Sequence, residues 1–274
     1  MSPIVPCGNV KTCLGSKSNP ITHGHSHLVG LVDEFMMWLM TRNEKVSISA
    51  QPSTFELNPQ SSAVIVVDMM NDFAAPEGMF ARAGIPIDGI RAVVEPTRRV
   101  LDAARRHGVL IVYLVMQFRE DLSDAGPADA PNRLRHLALG VGQPVVAPDG
   151  SNSRVLIRDT WNTKIIDELT PQHNDVVVPK HRFSGFFETN LDSVLRERGI
   201  TSLVFTGCTT SVCVESTLRD AFYRDYHCLL LTDCCAEPIG SDQSRTNHEA
   251  SLTVIETLFG WTTHSSDFIE SIAR

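Results

Sequence analysis

Five short runs of continuously apolar, mostly β-branched residues recur from position 61 onward, and they constrain the fold more than any other feature of the chain. They are Ala63–Val67 (AVIVV), Val109–Val115 (VLIVYLV), Asp175–Val178 (DVVV), Leu203–Thr206 (LVFT) and Cys228–Leu231 (CLLL). A strand with one face in water alternates apolar and polar side chains, whereas a run without alternation is buried on both faces. Between the runs lie segments of helical length: Arg91–His107, Asn190–Arg198, Cys213–Arg224 and Gln243–Phe259. Three of them stop at a glycine, Gly108, Gly199 or Gly260, the residue that most easily takes the left-handed conformation closing a last helical turn. Strand, helix and strand repeated in this way imply right-handed crossovers. The expected architecture is therefore α/β, a three-layer αβα domain around a mostly parallel, Rossmann-like sheet.

Residues 1–60 read differently. Pro, Gly, Ser, Asn and Thr are scattered through Met1–His27, and one apolar-periodic segment follows at Leu28–Thr41, carrying Phe35, Met36, Trp38, Leu39 and Met40. The reading is an N-terminal arm with one amphipathic helix over 1–60, packed on the main domain or on another subunit, and a single catalytic domain over 61–274. Asp33 and Glu34 interrupt the apolar segment, which falls short of the ~20 residues needed to cross a bilayer. It is also too acidic and too far from the start for a signal peptide. Of seven cysteines, Cys208, Cys213, Cys228, Cys234 and Cys235 fall within or beside apolar elements, which does not fit a secreted disulfide framework. A cytoplasmic protein without a membrane partner is expected. With 24 Lys and Arg against 32 Asp and Glu, a net charge of −8, the chain lacks the basic footprint of a nucleic-acid binder. The His23, His25, His27 triplet alternates within the arm and is poorly preorganised for a catalytic metal. Gln117–Trp161, rich in Gly, Pro, Asp and Asn, is expected to form a lid or a subunit contact.

In an open parallel sheet, ligands bind beyond the carboxyl ends of the strands, so the polar residue that follows each run is informative. Asp68 directly follows AVIVV, Lys180 follows DVVVP, and Cys213 follows LVFTG after the turn Cys208–Val212. Taken singly, a strand-end Asp caps a turn, a Lys is a solvated cation, and a free Cys is a small buried hydrophobe. Converging in one crevice, the three supply a general base, a charge stabiliser and a nucleophile. Thr209, Thr210 and Ser211 are candidate caps for a helix beginning near Cys213, and the positive end of a helix lowers a thiol pKa and holds an oxyanion. Cys208, Cys228, Cys234 and Cys235 lack that placement and read as core or strand-end thiols.

AVIVVDMMNDF (63–73), VVPKHRFSGFFETNLDSVL (177–195) and VFTGCTTSVCVESTLRDAFYRDY (204–226) resemble the isochorismatase-like cysteine hydrolases from about Pro59 to the C-terminus. The resemblance implies a six-stranded sheet and catalytic residues Asp68, Lys180 and Cys213. It also implies an oxyanion hole from the backbone N–H groups of Thr209 and Cys213, with a cis Cys208–Thr209 bond. Within the family, PKHRFSGFFETNLDSVLRERGI, VCVESTLRDAF and IETLFGW are similar to the enzymes that hydrolyse ureidoacrylate. CLLLTDCC and FREDL are similar to the biuret hydrolases. The implied reaction is cleavage of a C–N bond in a small ureido or carbamoyl compound through a thioester-type intermediate, with no cofactor and no metal. The metal-binding histidines of nicotinamidases are replaced here by MQFREDL, and isochorismatase itself lacks the nucleophilic cysteine.

Candidate substrate-binding residues are Phe73, Met116, Phe118, Arg119, Phe183 and Ser184, with Arg119, Asn132, Arg133 and Arg135 as candidates for a substrate carboxylate. Met116 and Phe118 stand where ureidoacrylate enzymes carry Asn and Trp, and Phe183 where the family commonly has Tyr. A more apolar pocket is expected, suited to a bulkier acyl or N-substituent. Family members are usually homodimers or homotetramers, so a homo-oligomer is expected. Two alternatives stand beside this reading: a non-catalytic α/β protein that binds a small metabolite, and a redox protein using Cys234–Cys235. The latter lacks the C-x-x-C spacing that tunes such pairs.

Overall fold

The structure, a computed structural model, describes residues 44–274. The expected helix at 28–41 and the His23, His25, His27 triplet lie outside the described residues. After a hairpin of β1 (Val46–Ile48) and β2 (Phe55–Leu57), the chain enters β3 (Ser62–Val67) and then β4 (Leu110–Met116). A second hairpin, β5 (Pro144–Val146) and β6 (Asn152–Arg154), precedes β7 (Val176–Lys180), β8 (Ser202–Cys208), β9 (His227–Ala236) and β10 (Trp261–Thr263). Six of these form one sheet in the order β10-β9-β8-β3-β4-β7, parallel throughout.

Pleating explains why the runs do not alternate. All of β3 is buried; Val64 and Val66 pack on one face with Val100 and Leu101 of helix Val94–Arg106 and Phe268 of helix Ser265–Ile272. Ala63, Ile65 and Val67 face the other way, against Leu191 and Leu195 of helix Leu191–Glu197 and Leu218 of helix Glu215–Phe222. Two apolar layers, one on each face, leave no face for polar residues. The five runs are five of the six strands. The sixth, β10, has the sequence Trp-Thr-Thr, too short and too polar to show a pattern. Its outer edge is paired with Gln51, which donates to the Thr262 carbonyl at 2.8 Å and accepts from the Thr262 N–H at 3.0 Å. Covering an edge in this way satisfies its backbone groups. The β1–β2 hairpin, within the bounds expected for the arm, adds Ile48, Phe55 and Leu57 to the first core layer.

Helix starts differ from the sequence expectation where capping chemistry intervenes. The Gln243–Phe259 segment begins its helix only at Asn247, because Thr246 and Glu249 form a reciprocal capping box. That helix ends at Val254 and continues as a wider π turn, Ile255–Phe259. The Cys213–Arg224 segment likewise opens with a π turn, Thr210–Val214, before helix Glu215–Phe222. Among the described residues, no helix is long and apolar enough to cross a membrane.

The chain runs from β3 through β4 to β7 on one side, then crosses to β8, β9 and β10 on the other, so strand order reverses beside β3. A crevice opens at the carboxyl ends where the order reverses. The segment 117–161 carries helix Pro131–Ala138 and the β5–β6 hairpin. Buried Asp72 anchors it: one carboxylate oxygen accepts the Met79 N–H at 3.0 Å and the Asn162 side-chain amide, and the other accepts the Leu156 N–H at 2.7 Å.

Gly207 makes the close approach of β8 to β3 possible. It has φ +111°, and a Cβ there would lie 2.1 Å from the Val67 carbonyl oxygen. Gly207→Ala is expected to destabilise the protein by about 3 kcal/mol, read as a lowered urea midpoint at unchanged m-value.

Candidate active site

Asp68 stands one residue beyond β3, in the left-handed backbone region at φ 54° that Asp tolerates better than most residues. Its N–H donates to the Leu114 carbonyl at 2.9 Å, and its carbonyl accepts the Met70 N–H at 2.9 Å. Backbone and side chain are held together: Oδ1 accepts the Met116 N–H at 2.9 Å, while Oδ2 lies 2.8 Å from Lys180 Nζ. Lys180, the last residue of β7, reaches this position across β4, where it is in register with Met116. Both side chains of the ion pair are excluded from solvent. Burial pulls the Lys180 pKa down, but the negative charge of Asp68 beside it outweighs burial and leaves the pKa above the ordinary lysine value.

Cys213 lies in the π turn after β8, and the Cys208–Thr209 peptide that leads into that turn is cis, as the family resemblance implies. The Thr209 carbonyl accepts the N–H groups of Val212 at 3.1 Å and Val214 at 3.2 Å. Glu237 braces the turn from β9's exit, accepting the Ser211 N–H at 2.8 Å and the Ile239 N–H at 2.9 Å. The expected lowering of the thiol pKa is not found. Burial pushes the Cys213 thiol well above its usual value; Lys180 pulls it down and Asp68 pushes it up. Desolvation of a thiol sealed beside a carboxylate outweighs the positive end of the helix.

A cavity of about 340 Å³ opens over these groups. Asp68, Cys208, Thr209 and Cys213 line it together with Phe73, Met79, Phe80 and Ile85. Met116, Leu156 and Phe183 line it as well, as do Arg135, His136, Leu139 and Ile239. The lining is almost wholly apolar, as Met116 and Phe183 led one to expect, so water is poorly accommodated and charges inside interact strongly.

Asp68, Cys213, Thr209, Phe73, Met116 and Phe183 thus meet at one cavity, with Lys180 directly behind Asp68. Three expected substrate-binding residues do not line it. Phe118 is fully buried one layer back, with its ring centroid 5.0 Å from that of His136. Arg119 is exposed and faces a separate surface hollow with Glu120 and Arg158; its N–H is held by Asp124. Ser184 donates to Asp220 and accepts the Phe186 N–H at 3.1 Å, stapling its loop to helix Glu215–Phe222. Position after a strand does not say which way a side chain turns. Of the carboxylate candidates, Arg135 lines the cavity. Asn132 and Arg133 instead tie down their own loop through the carbonyls of Ala125, Leu122 and Gly126. Residues missed in the sequence are His136 and Glu237, which reach the site from elements with no local motif. Among the described residues, no group of three or more His, Cys, Asp or Glu is placed to hold a metal ion.

The isochorismatase domain model matches residues 62–267. The chain is 38% identical over 233 residues to ureidoacrylate amidohydrolase RutB of Rhizobium rhizogenes, covering 85% of this chain and 92% of that protein. It is also 38% identical over 229 residues to RutB of Agrobacterium fabrum, covering 84% and 97%. Among solved structures, a cysteine hydrolase from Pseudomonas syringae pv. phaseolicola superposes with a TM-score of 0.68 at 31% identity, covering 84% of this chain and 98% of that one. N-carbamoylsarcosine amidase from Thermoplasma acidophilum superposes with a TM-score of 0.54 at 26% identity, covering 75% and 96%.

Because burial raises the Cys213 pKa, the thiol is protonated at neutral pH and becomes thiolate only as pH rises. Its alkylation by iodoacetamide is expected to be slow at pH 7 and to climb steadily through pH ~9. A rate that levels off near pH 7 would show a resting thiolate instead.

Proposed function

The chain belongs to the isochorismatase family, and from that membership we propose that it is a cysteine amidohydrolase cleaving a C–N bond of a small ureido compound of the ureidoacrylate kind. The observation that carries this reading is the Lys180–Asp68 pair, 2.8 Å apart, beside Cys213 in the lining of an apolar cavity. In the proposed mechanism Asp68 takes the Cys213 proton as sulfur attacks the ureido carbonyl, forming a C–S bond. The negative charge passes to the carbonyl oxygen, which the backbone N–H groups of Thr209 and Cys213 receive. Asp68 then delivers the proton to the nitrogen of the breaking C–N bond, and the amine leaves. Water adds to the remaining carbamoyl thioester, the C–S bond breaks, and carbamate departs as sulfur recovers a proton through Asp68. Lys180 holds its charge opposite Asp68 throughout and keeps the carboxylate competent as a base.

A buried neutral thiol beside an ion-paired carboxylate supports this order of events: proton transfer accompanies attack instead of preceding it. Arg135 supports recognition of a carboxylate on the substrate. It lines the cavity and its side chain has no hydrogen bond or ion pair among the described residues. The apolar walls at Met116 and Phe183 favour a second reading within the same class, an N-carbamoyl amino acid with an apolar substituent. Biuret, a wholly polar substrate, fits those walls less well. We read the enzyme as cytoplasmic and as a homodimer or homotetramer. Exposed Leu134 and Leu137 on helix Pro131–Ala138 and Val146 on β5 support assembly.

Ammonia release from ureidoacrylate, N-carbamoyl amino acids, biuret and nicotinamide tests the reading, with the Cys213→Ala variant as blank. Turnover of a ureido compound is expected to fall about a thousandfold or more in Cys213→Ala while the melting temperature stays near that of the parent. Activity persisting in that variant sinks the mechanism, and tight binding without turnover in the parent points to a metabolite-binding protein. Arg135→Gln is expected to raise KM about tenfold for acidic substrates with kcat little changed, and to leave uncharged substrates alone.

A further inference from the structure

His136 is the polar side chain of the cavity that the mechanism leaves unused. It sits on helix Pro131–Ala138, is 3% exposed, and lines the same cavity as Asp68 and Cys213. Its Nδ1 lies 2.7 Å from the Asn132 carbonyl oxygen. A carbonyl only accepts, so Nδ1 carries the hydrogen and the neutral ring presents Nε2 as a lone-pair acceptor. Burial, aided by Lys180 and Arg182, holds the ring neutral by lowering its pKa, against the opposing pull of the Asn132 hydrogen bond and Asp68. The ring plane is set by Phe118 and Phe183, whose centroids lie 5.0 and 5.3 Å away. Nε2 has no partner among the described residues.

Around it Asp68 and Arg135 offer no free acceptor, and the Thr209 hydroxyl, which lines the same cavity, is the other group able to accept. Asp68 is occupied by Lys180 and the Met116 N–H, and Arg135 can only donate. An acceptor fixed in an otherwise apolar chamber is costly to leave unpaired once water is displaced, and so it discriminates strongly for a ligand that brings a donor.

We propose that His136 is a specificity-determining residue whose Nε2 accepts a hydrogen bond from the carbamoyl NH2 of the substrate, selecting carbamoyl over simple acyl groups. The proposal rests on the amidohydrolase reading above and names what that reading leaves open. With Arg135 one residue earlier on the same helix, the lid supplies a donor pair for a carboxylate and an acceptor for the carbamoyl end. The ring moves no proton in the reaction; it orients the carbonyl that Cys213 attacks.

The test compares ureidoacrylate with its N-formyl counterpart, in which hydrogen replaces the NH2, on the full-length parent, His136→Phe and His136→Gln. Phe keeps the ring contacts and removes the acceptor; Gln restores an acceptor oxygen. His136→Phe is expected to lose roughly ten- to a hundredfold in kcat/KM on ureidoacrylate, mostly through KM, while changing about threefold or less on the formyl compound. His136→Gln is expected to recover much of the preference. Equal losses on both substrates, or none on either, overturn the acceptor role and leave His136 as packing between two phenylalanines. If His136→Phe fails to fold, His136→Met against His136→Gln carries the same comparison. Cys213-dependent turnover in the parent separates the two levels. Where it is absent for every ureido substrate the amidohydrolase reading falls as well; where it is present with an unchanged preference in the variants, only this inference falls.

Discussion

The ion pair between Lys180 and Asp68 is the interaction on which the rest of the structure depends. Two charges withdrawn from water are tolerable only while they face each other, and stranding either one costs about 3–5 kcal/mol. Lys180 enters from β7, with β4 lying between it and the strand that carries Asp68. The pair therefore ties the end of β7 to the residue leaving β3 across β4. Asp68 is anchored at the same time by its backbone, through Leu114, and by its side chain, through the Met116 N–H. Little freedom remains at Asp68, which suits the proposed role of receiving a proton and giving it back.

The pair also accounts for the state of the thiol. A cation and an anion in contact leave little net field for a third ionised group, and burial decides the matter by keeping Cys213 neutral. The proposed reaction therefore starts from an uncharged thiol, so the site carries no free thiolate open to stray electrophiles before substrate excludes water.

Two further carboxylates do structural work around the cavity. Asp72 spends its oxygens on the N–H groups of Met79 and Leu156, two residues of the cavity lining, and burial raises its pKa despite those bonds. Glu237 joins the turn that carries Cys213, at Ser211, to Ile239 in the cavity lining. Asp72 lies in the DMMNDF segment read for chemistry, yet its role is to place Leu156 from a loop 84 positions away, a partnership with no local signature.

Much was legible beforehand because its cause is local. Runs buried on both faces must be apolar at every position, so five of the six strands announce themselves, and the residue leaving β3, the end of β7 and the turn after β8 can be named from spacing and family likeness. Other features depend on contacts made at long range. Whether Phe118, Arg119 or Ser184 faces the cavity is set by what the neighbouring loops occupy, and Asp124, Asp220 and His136 claimed them. The thiol pKa turned on desolvation, a property of the assembled chamber. His136 came into view only because helix Pro131–Ala138 folds over the sheet. The sequence by itself determined the parallel sheet and the three residues at its carboxyl ends, since hydrophobic periodicity and strand-end position are properties of the nearby chain. Only the tertiary structure decided which side chains line the cavity, in which protonation state, and with which partners, because burial and electrostatics are summed over atoms that the chain brings together from distant positions.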